Sequence, residues 1–153
     1  MTLLLVRHAD AGDRTAWTGD DLARPLSASG RAQSRALAEL LSDRPLTTIL
    51  SGPAKRCVTT VEPLAAALGL PVQVEDALDE GTSFEDLDEL LTRVGSRDAL
   101  LCSHADVIGA ALTALWRRGH LAERPNARKV VTWVVDSWPD PARIEELDAP
   151  TGG

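Results

Sequence analysis

The chain has no tyrosine, one phenylalanine and one methionine, so its core has to be assembled from Leu, Val, Ile and Ala rather than around stacked rings. It has only two cysteines, Cys57 and Cys102, in or beside apolar stretches and without the spacing of a disulfide or zinc framework. They read as buried free thiols. No run approaches the ~18 consecutive apolar residues of a membrane span. Only Met1 and Thr2 precede the first apolar run, which leaves no charged leader before a hydrophobic core. The expectation is a cytoplasmic protein with no membrane partner. Excess positive charge is lacking too: 16 Lys and Arg face 23 Asp and Glu, for a net charge of -7. That balance argues against a nucleic acid polymer as partner, but not against an anionic substrate held in a locally basic site.

What is present is enough for one domain with a sizeable core. The length is 153 residues, with 44% hydrophobic and 25% charged residues, an ordinary globular composition that excludes general disorder. Leu3-Leu4-Leu5-Val6 reads as a strand buried on both faces that delivers Arg7 and His8 where it leaves the core. A second apolar run, Ala99-Leu100-Leu101-Cys102, ends the same way in Ser103-His104. Two of the chain's three histidines thus sit at equivalent strand exits, each followed two residues later by an Asp, Asp10 or Asp106. In open α/β sheets ligands bind beyond the carboxyl ends of the strands, so such residues face a crevice from a rigid support.

Between these runs the pattern alternates. A polar loop over residues 11–25 is long enough to suggest a functional role. Residues 26–42 read as a helix that Ser27 can cap, and residues 47–50 as a strand. A helix over 53–68 starts with Pro53 in its first turn, is open to a kink at Pro63, and ends at Gly69 and Pro71. A strand over 71–75 leads into an acidic loop, 76–81, and Ser83 with Asp86 resembles a capping box for a helix that Gly95 stops. A helix over 107–118 ends at Gly119, and 129–135 is a β-branched strand. The fold class expected is α/β, a three-layer α/β/α sandwich with a mainly parallel central sheet. Residues 1–138 form the domain, and 139–153 a C-terminal tail in which 143–147 could add an edge strand.

Around the expected crevice the chain supplies Arg7, His8, Arg24, Arg56 and His104, with helix N-termini after Ser51-Gly52-Pro53 and after His104. Guanidinium forks match tetrahedral oxyanions, and free N–H groups at helix starts favour the same charge. A phosphate fits that set. One His as nucleophile and the other as hydrogen-bond donor could pass a phosphoryl group through a phosphohistidine intermediate, with arginines stabilising the spread charge.

Four segments carry a resemblance. Leu5-Val6-Arg7-His8-Ala9, then Arg24-Pro25-Leu26-Ser27-Ala28-Ser29-Gly30, then Ser51-Gly52-Pro53-Ala54-Lys55-Arg56-Cys57-Val58-Thr59-Thr60, then Cys102-Ser103-His104, all within residues 2–136, together resemble the histidine phosphatase superfamily, which is phosphoglycerate mutase-like. The resemblance implies that His8 is the phosphorylated nucleophile, Arg7 and Arg56 the phosphate-binding arginines, and His104 the second histidine of the pocket. It implies no cofactor and no metal. Arg24 is similar to an extra phosphate-pocket arginine of the small SixA-like phosphohistidine phosphatases, a branch whose compactness the chain shares. Asp79-Glu80-Gly81-Thr82, followed by Lys129 and Thr132-Trp133-Val134, resembles the phosphatase domain fused to Nudix domains in some oxidised-nucleotide hydrolases. Two motif positions depart from the family's usual form, Ala9 in place of Gly and Gly52 in place of Ser, and neither removes a charge.

On this reading the substrate is a phosphorylated small molecule, a nucleotide or a phosphohistidine protein. The proton donor to the leaving group is Glu80, with Asp10 and Asp106 as alternatives. Other readings stand beside these. His8, Asp10, His104 and Asp106 could be ligands of a metal hydrolase, although neighbouring arginines would repel the cation, and the pocket could bind a phospho-ligand without turning it over. Arg24 could be a surface arginine paired with Asp20 or Asp21. His120 reads as a charge at a helix C-terminus, Trp17 as a cover for substrate or for the sheet edge, and Trp116, Trp133 and Trp138 as core or interface residues. Glu85, Asp86, Asp88 and Glu89 read as the solvated start of a helix.

Overall fold

The computed structural model describes residues 2–95, 97–127 and 131–148. Six strands form one sheet: β1 (Leu3–Arg7), β2 (Thr48–Ser51), β3 (Val72–Val74), β4 (Ala99–Ser103), β5 (Val131–Val135) and β6 (Ile144–Asp148). Four helices join them: α1 (Ala28–Leu41), α2 (Lys55–Leu68), α3 (Phe84–Val94) and α4 (Ala105–Arg117). The spatial order is β3-β2-β4-β1-β5-β6. Pairings of β1 with β4, β2 with β4 and β2 with β3 are parallel, while β5 runs antiparallel to β1 and β6 antiparallel to β5.

The double burial expected of the first strand follows from its central position. Leu3 and Leu5 point to the layer of α3 and α4, where they meet Leu90, Leu91, Ile108 and Leu112. Leu4 and Val6 point to the layer of α1 and α2, where Leu37, Leu41, Val61 and Leu64 receive them. Each fully buried Leu contributes about 1.5–3 kcal/mol relative to exposure, so β1 is held from both sides. The helix after β1 lies on one face and the helix after β4 on the other. Such a reversal between neighbouring strands opens a crevice at their carboxyl ends, between Arg7 and Ser103.

Local chemistry sets the boundaries, and several differ from the sequence reading. α1 begins at Ala28 rather than residue 26, because the Ser27 side chain accepts from the Gly30 N–H and is the cap. α2 begins at Lys55, two residues after Pro53, and continues through Pro63 to a left-handed Gly69. α4 begins at Ala105, which makes His104 itself the N-cap. The loop over 11–25 is not featureless but carries 3-10 turns at Arg14–Ala16 and Asp21–Ala23, each capped by an Asp side chain. In the tail, Ile144–Asp148 adds the outer strand β6. Lys129, and residues 149–153 of the tail, lie outside the described residues.

Trp133 and Trp138 are buried, and the Trp138 Nε1–H donates to Asp88 at 2.8 Å, which ties down one member of the acidic helix start. Cys57 and Cys102 are buried free thiols. No described helix is long and apolar enough to cross a membrane.

Candidate active site

Arg7 closes β1, and its Nη1 donates to the Ala127 carbonyl at 3.1 Å. His8 follows, with its backbone N–H on the Ser103 carbonyl at 2.9 Å, so the ladder between β1 and β4 extends to the histidine itself. The His8 ring nitrogen Nδ1 lies 2.7 Å from the Ala9 carbonyl. A carbonyl can only accept, so Nδ1 carries the proton and Nε2 keeps its lone pair. Burial pushes the His8 pKa from 6.5 down to about 3, against the pull of the Ala9 carbonyl and with help from the charges of His104, Arg56 and Arg7. The result is a neutral imidazole with one free nitrogen.

The exit is braced from α2. The Ala9 N–H donates to Thr60 Oγ1 at 2.9 Å, and Thr60 Oγ1 donates to the Arg56 carbonyl at 2.6 Å. At the next strand, His104 sets its ring edge to face against His8, with centroids 5.3 Å apart and planes at 71°. His104 Nδ1 is 3.5 Å from Arg56 Nη2, and its Nε2 is 3.5 Å from Cys57 Sγ. Guanidinium has no acceptor, so only a neutral His104 with its lone pair on Nδ1 turns that approach into a hydrogen bond. The hydrogen bond with Cys102 holds the Cys57 thiol below its usual range against the effect of burial, and the contact with His104 adds to that lowering.

The arginines converge on one carboxylate. Asp21, in the second 3-10 turn, receives Arg56 Nη2 at 3.0 Å, Arg24 Nε at 3.2 Å and Arg14 Nε at 3.4 Å, while its carbonyl takes Arg56 Nη1 at 2.7 Å. Burial raises the Asp21 carboxyl, but the hydrogen bond from Arg24 and the three guanidinium charges outweigh it and leave the group below its usual range. Arg24 is buried and also donates from Nη1 to the carbonyls of Ala11 at 2.6 Å and Gly12 at 3.2 Å. Arg14 Nη2 donates to both Glu80 oxygens, at 2.8 and 2.9 Å, which bridges the loop after β1 to the loop after β3.

The resulting cavity, about 380 Å³, is lined by Arg7, His8, Gly12, Arg14, Arg24, Glu80, His104, Ala105 and Asp106. It brings together Arg7, His8, Arg24, His104 and Glu80 of the residues singled out in the sequence, and also Asp106, whose Oδ2 accepts from the Gly81 N–H at 2.9 Å. Arg56 lies just beneath, 1% exposed, with Asp21 and Glu80 against its Nη2. The alternative proton donor Asp10 goes elsewhere: its Oδ2 accepts from Ser27 Oγ at 2.6 Å and from the Gly12 N–H at 3.3 Å, joining the loop to the start of α1. Arg24 lines the cavity and also pairs with Asp21, but it is buried and not the surface arginine of the second reading. The metal reading loses its ligand set: among the described residues no group of three or more His, Cys, Asp or Glu is placed to hold an ion.

Arg14, Asp21 and Thr60 were not singled out for the site by sequence reasoning. The signals available were spacings, with Asp21 three residues before Arg24 and Thr60 four after Arg56, a helical neighbour.

Chemically, the arrangement can hold a tetrahedral anion against guanidinium groups while the His8 Nε2 lone pair meets its central atom. Comparison with known proteins agrees in kind. The family model described as histidine phosphatase superfamily (branch 1) matches residues 3–88. The 8-oxo-(d)GTP phosphatase of Mycolicibacterium smegmatis is 34% identical over 142 residues, which are 88% of this chain and 44% of that protein. The chain spans less than half the length of the curated relatives it matches. Among solved structures, SixA from Agrobacterium tumefaciens superposes with a TM-score of 0.76 at 24% identity, over 96% of each chain. A SixA protein histidine phosphatase complexed with tungstate gives 0.75 at 21% identity, over 99% of this chain and 97% of that one. These two likenesses establish the three-layer fold.

Proposed function

We propose, from the premise that the chain belongs to the histidine phosphatase superfamily, that it is a metal-independent phosphatase working through a phosphohistidine on His8. The observation that carries this reading is the pair of buried histidines at adjacent strand exits, 5.3 Å apart, with His8 Nδ1 tied to a carbonyl and guanidinium groups alongside.

In the first half-reaction His8 Nε2 donates its electron pair to phosphorus, and the bond from phosphorus to the leaving oxygen or nitrogen breaks. The leaving atom takes that bond's electrons and a proton from Glu80 or Asp106. Arg7 and Arg24 stabilise the transferring oxyanions, His104 joins them by turning its N–H from the Cys57 sulfur, and Arg56 joins where it gives up Asp21 for the phosphoryl group. In the second, water attacks the phosphorus of phosphohistidine and gives a proton to the carboxylate left by the first step, the P–N bond breaks with its electrons returning to His8 Nε2, and inorganic phosphate leaves a neutral His8. A resident cation would meet the same arginines, which is why the chemistry is assigned to side chains alone.

The substrate is a phosphomonoester, a phosphohistidine or a nucleotide. The relative described as an 8-oxo-(d)GTP phosphatase favours the nucleotide, and the SixA-like shape suits a phosphohistidine protein. The deciding experiment is p-nitrophenyl phosphate hydrolysis with EDTA present, native protein against His8→Ala. EDTA-resistant turnover, abolished in the variant and accompanied by an acid-labile, base-stable phosphoenzyme, supports the mechanism. Turnover abolished by EDTA returns weight to a metal, and ligand retention without turnover identifies a phospho-ligand binder.

A further inference from the structure

The cavity is graded in depth. His8, His104 and Arg24 form a buried floor, whereas the side chains of Arg14 and Glu80 are 55% and 42% exposed at the rim. In-line displacement puts nucleophile and leaving group on opposite sides of phosphorus. With His8 at the floor, whatever is attached to the transferring phosphoryl group points to the rim. The rim side chains facing it are Arg14, Glu80 and Asp106, one cation and two carboxylates.

A neutral leaving group, such as an alcohol or an imidazole, requires no cation there. A phosphate leaving group facing Glu80 and Asp106 does. Arg14 is suited to the exchange, because its Nη2 already meets two oxygens of one carboxylate, a pair that a phosphate group also offers, while its Nε stays on Asp21. The pair is also exposed, and exposed ion pairs contribute little on their own, so an incoming anion displaces the carboxylate readily. Moving Arg14 from Glu80 to substrate leaves the Glu80 carboxyl with only its longer contact to Arg56 Nη2, at 3.5 Å.

We propose that Arg14 is a specificity-determining residue that binds an anionic leaving group at the rim, so that the favoured substrates are phosphoric anhydrides, such as nucleoside diphosphates, over simple monoesters. This rests on the phosphatase reading above. The anhydride P–O bond breaks as the His8 N–P bond forms. The leaving phosphate keeps the bonding electrons and its negative charge, held by Arg14, and water then regenerates His8.

The test is kcat/KM for ADP and for p-nitrophenyl phosphate with the full chain, as native protein, Arg14→Ala and Arg14→Lys. The expected result is that the ADP to p-nitrophenyl phosphate ratio falls about ten-fold or more in Arg14→Ala, as loss of a charge-assisted hydrogen bond implies. The loss falls mainly in KM and is partly restored by Arg14→Lys. An equal fall for both substrates assigns Arg14 to holding Glu80 alone and overturns the inference, as does an unchanged ratio. Native protein that cleaves p-nitrophenyl phosphate but not ADP also overturns it while leaving the phosphatase reading intact. Failure on both substrates overturns the two together.

Discussion

The neutral His8 makes a measurable demand on stability. In the folded chain its pKa is about 3, against an ordinary 6.5, chiefly because the ring is buried. As pH falls from 7 to 4.5 the unfolded chain takes up a proton at this position and the folded chain does not, so acid favours unfolding. The native protein should lose about 2.5 kcal/mol from this source alone over that interval, and the loss continues until pH reaches about 3. His8→Gln cannot titrate. The stability gap between native protein and His8→Gln should therefore move by about 2.5 kcal/mol toward the variant between pH 7 and 4.5. Urea unfolding followed by fluorescence of the four tryptophans reads this directly, with both proteins measured in the same buffers. A gap that does not change with pH, or an NMR titration of the His8 ring near 6.5, would refute the argument that burial keeps the nucleophile unprotonated.

Thr60→Val should cost about 1–3 kcal/mol by leaving the buried Ala9 N–H without its acceptor; it should also slow turnover by loosening the residue beside His8, so native-like stability and rate would contradict the bracing role. Gly30→Ala drives a Cβ into the Asp10 carbonyl oxygen, backbone that cannot swing away. The melting temperature should fall by an amount corresponding to about 1–3 kcal/mol, and an unshifted melt would mean that the loop after β1 is not seated on α1 as described. Arg56→Lys keeps the charge but not the fork that meets Asp21 twice. It should lower kcat for p-nitrophenyl phosphate by about a hundred-fold or more, and a loss of only a few-fold would show that charge alone suffices at this position.

The central strands were legible because apolar runs buried on both faces have few other places to go. β1 and β4 lie side by side at the middle of the sheet, and the two histidines that the sequence marks as equivalent leave it together. The direction of β5 was not legible: a β-branched run has the same pattern whether it runs with or against its neighbour, and only the connection after α4 decides. The roles within the loop over 11–25 were hidden for a related reason. Asp21 and Arg14 look like ordinary surface charges one at a time, and their meaning depends on Arg56 and Glu80, which are distant in sequence. Arg56 shows the reverse case, a residue marked by its motif that lies beneath the cavity wall with Asp21 against it.

The ladder between β1 and β4, which pairs Arg7 with Ser103 and then carries the His8 N–H onto the Ser103 carbonyl, makes the gap between the two histidines a property of the sheet. Lengthening or rewriting the connecting loops leaves that gap alone, so substrate preference can drift while the reacting pair stays fixed. A slip of β4 by one position is different in kind. It would carry His104 about 3.3 Å along the strand and turn it to the opposite face. The molecule therefore tolerates error generously in its rim and hardly at all in the alignment of two neighbouring strands.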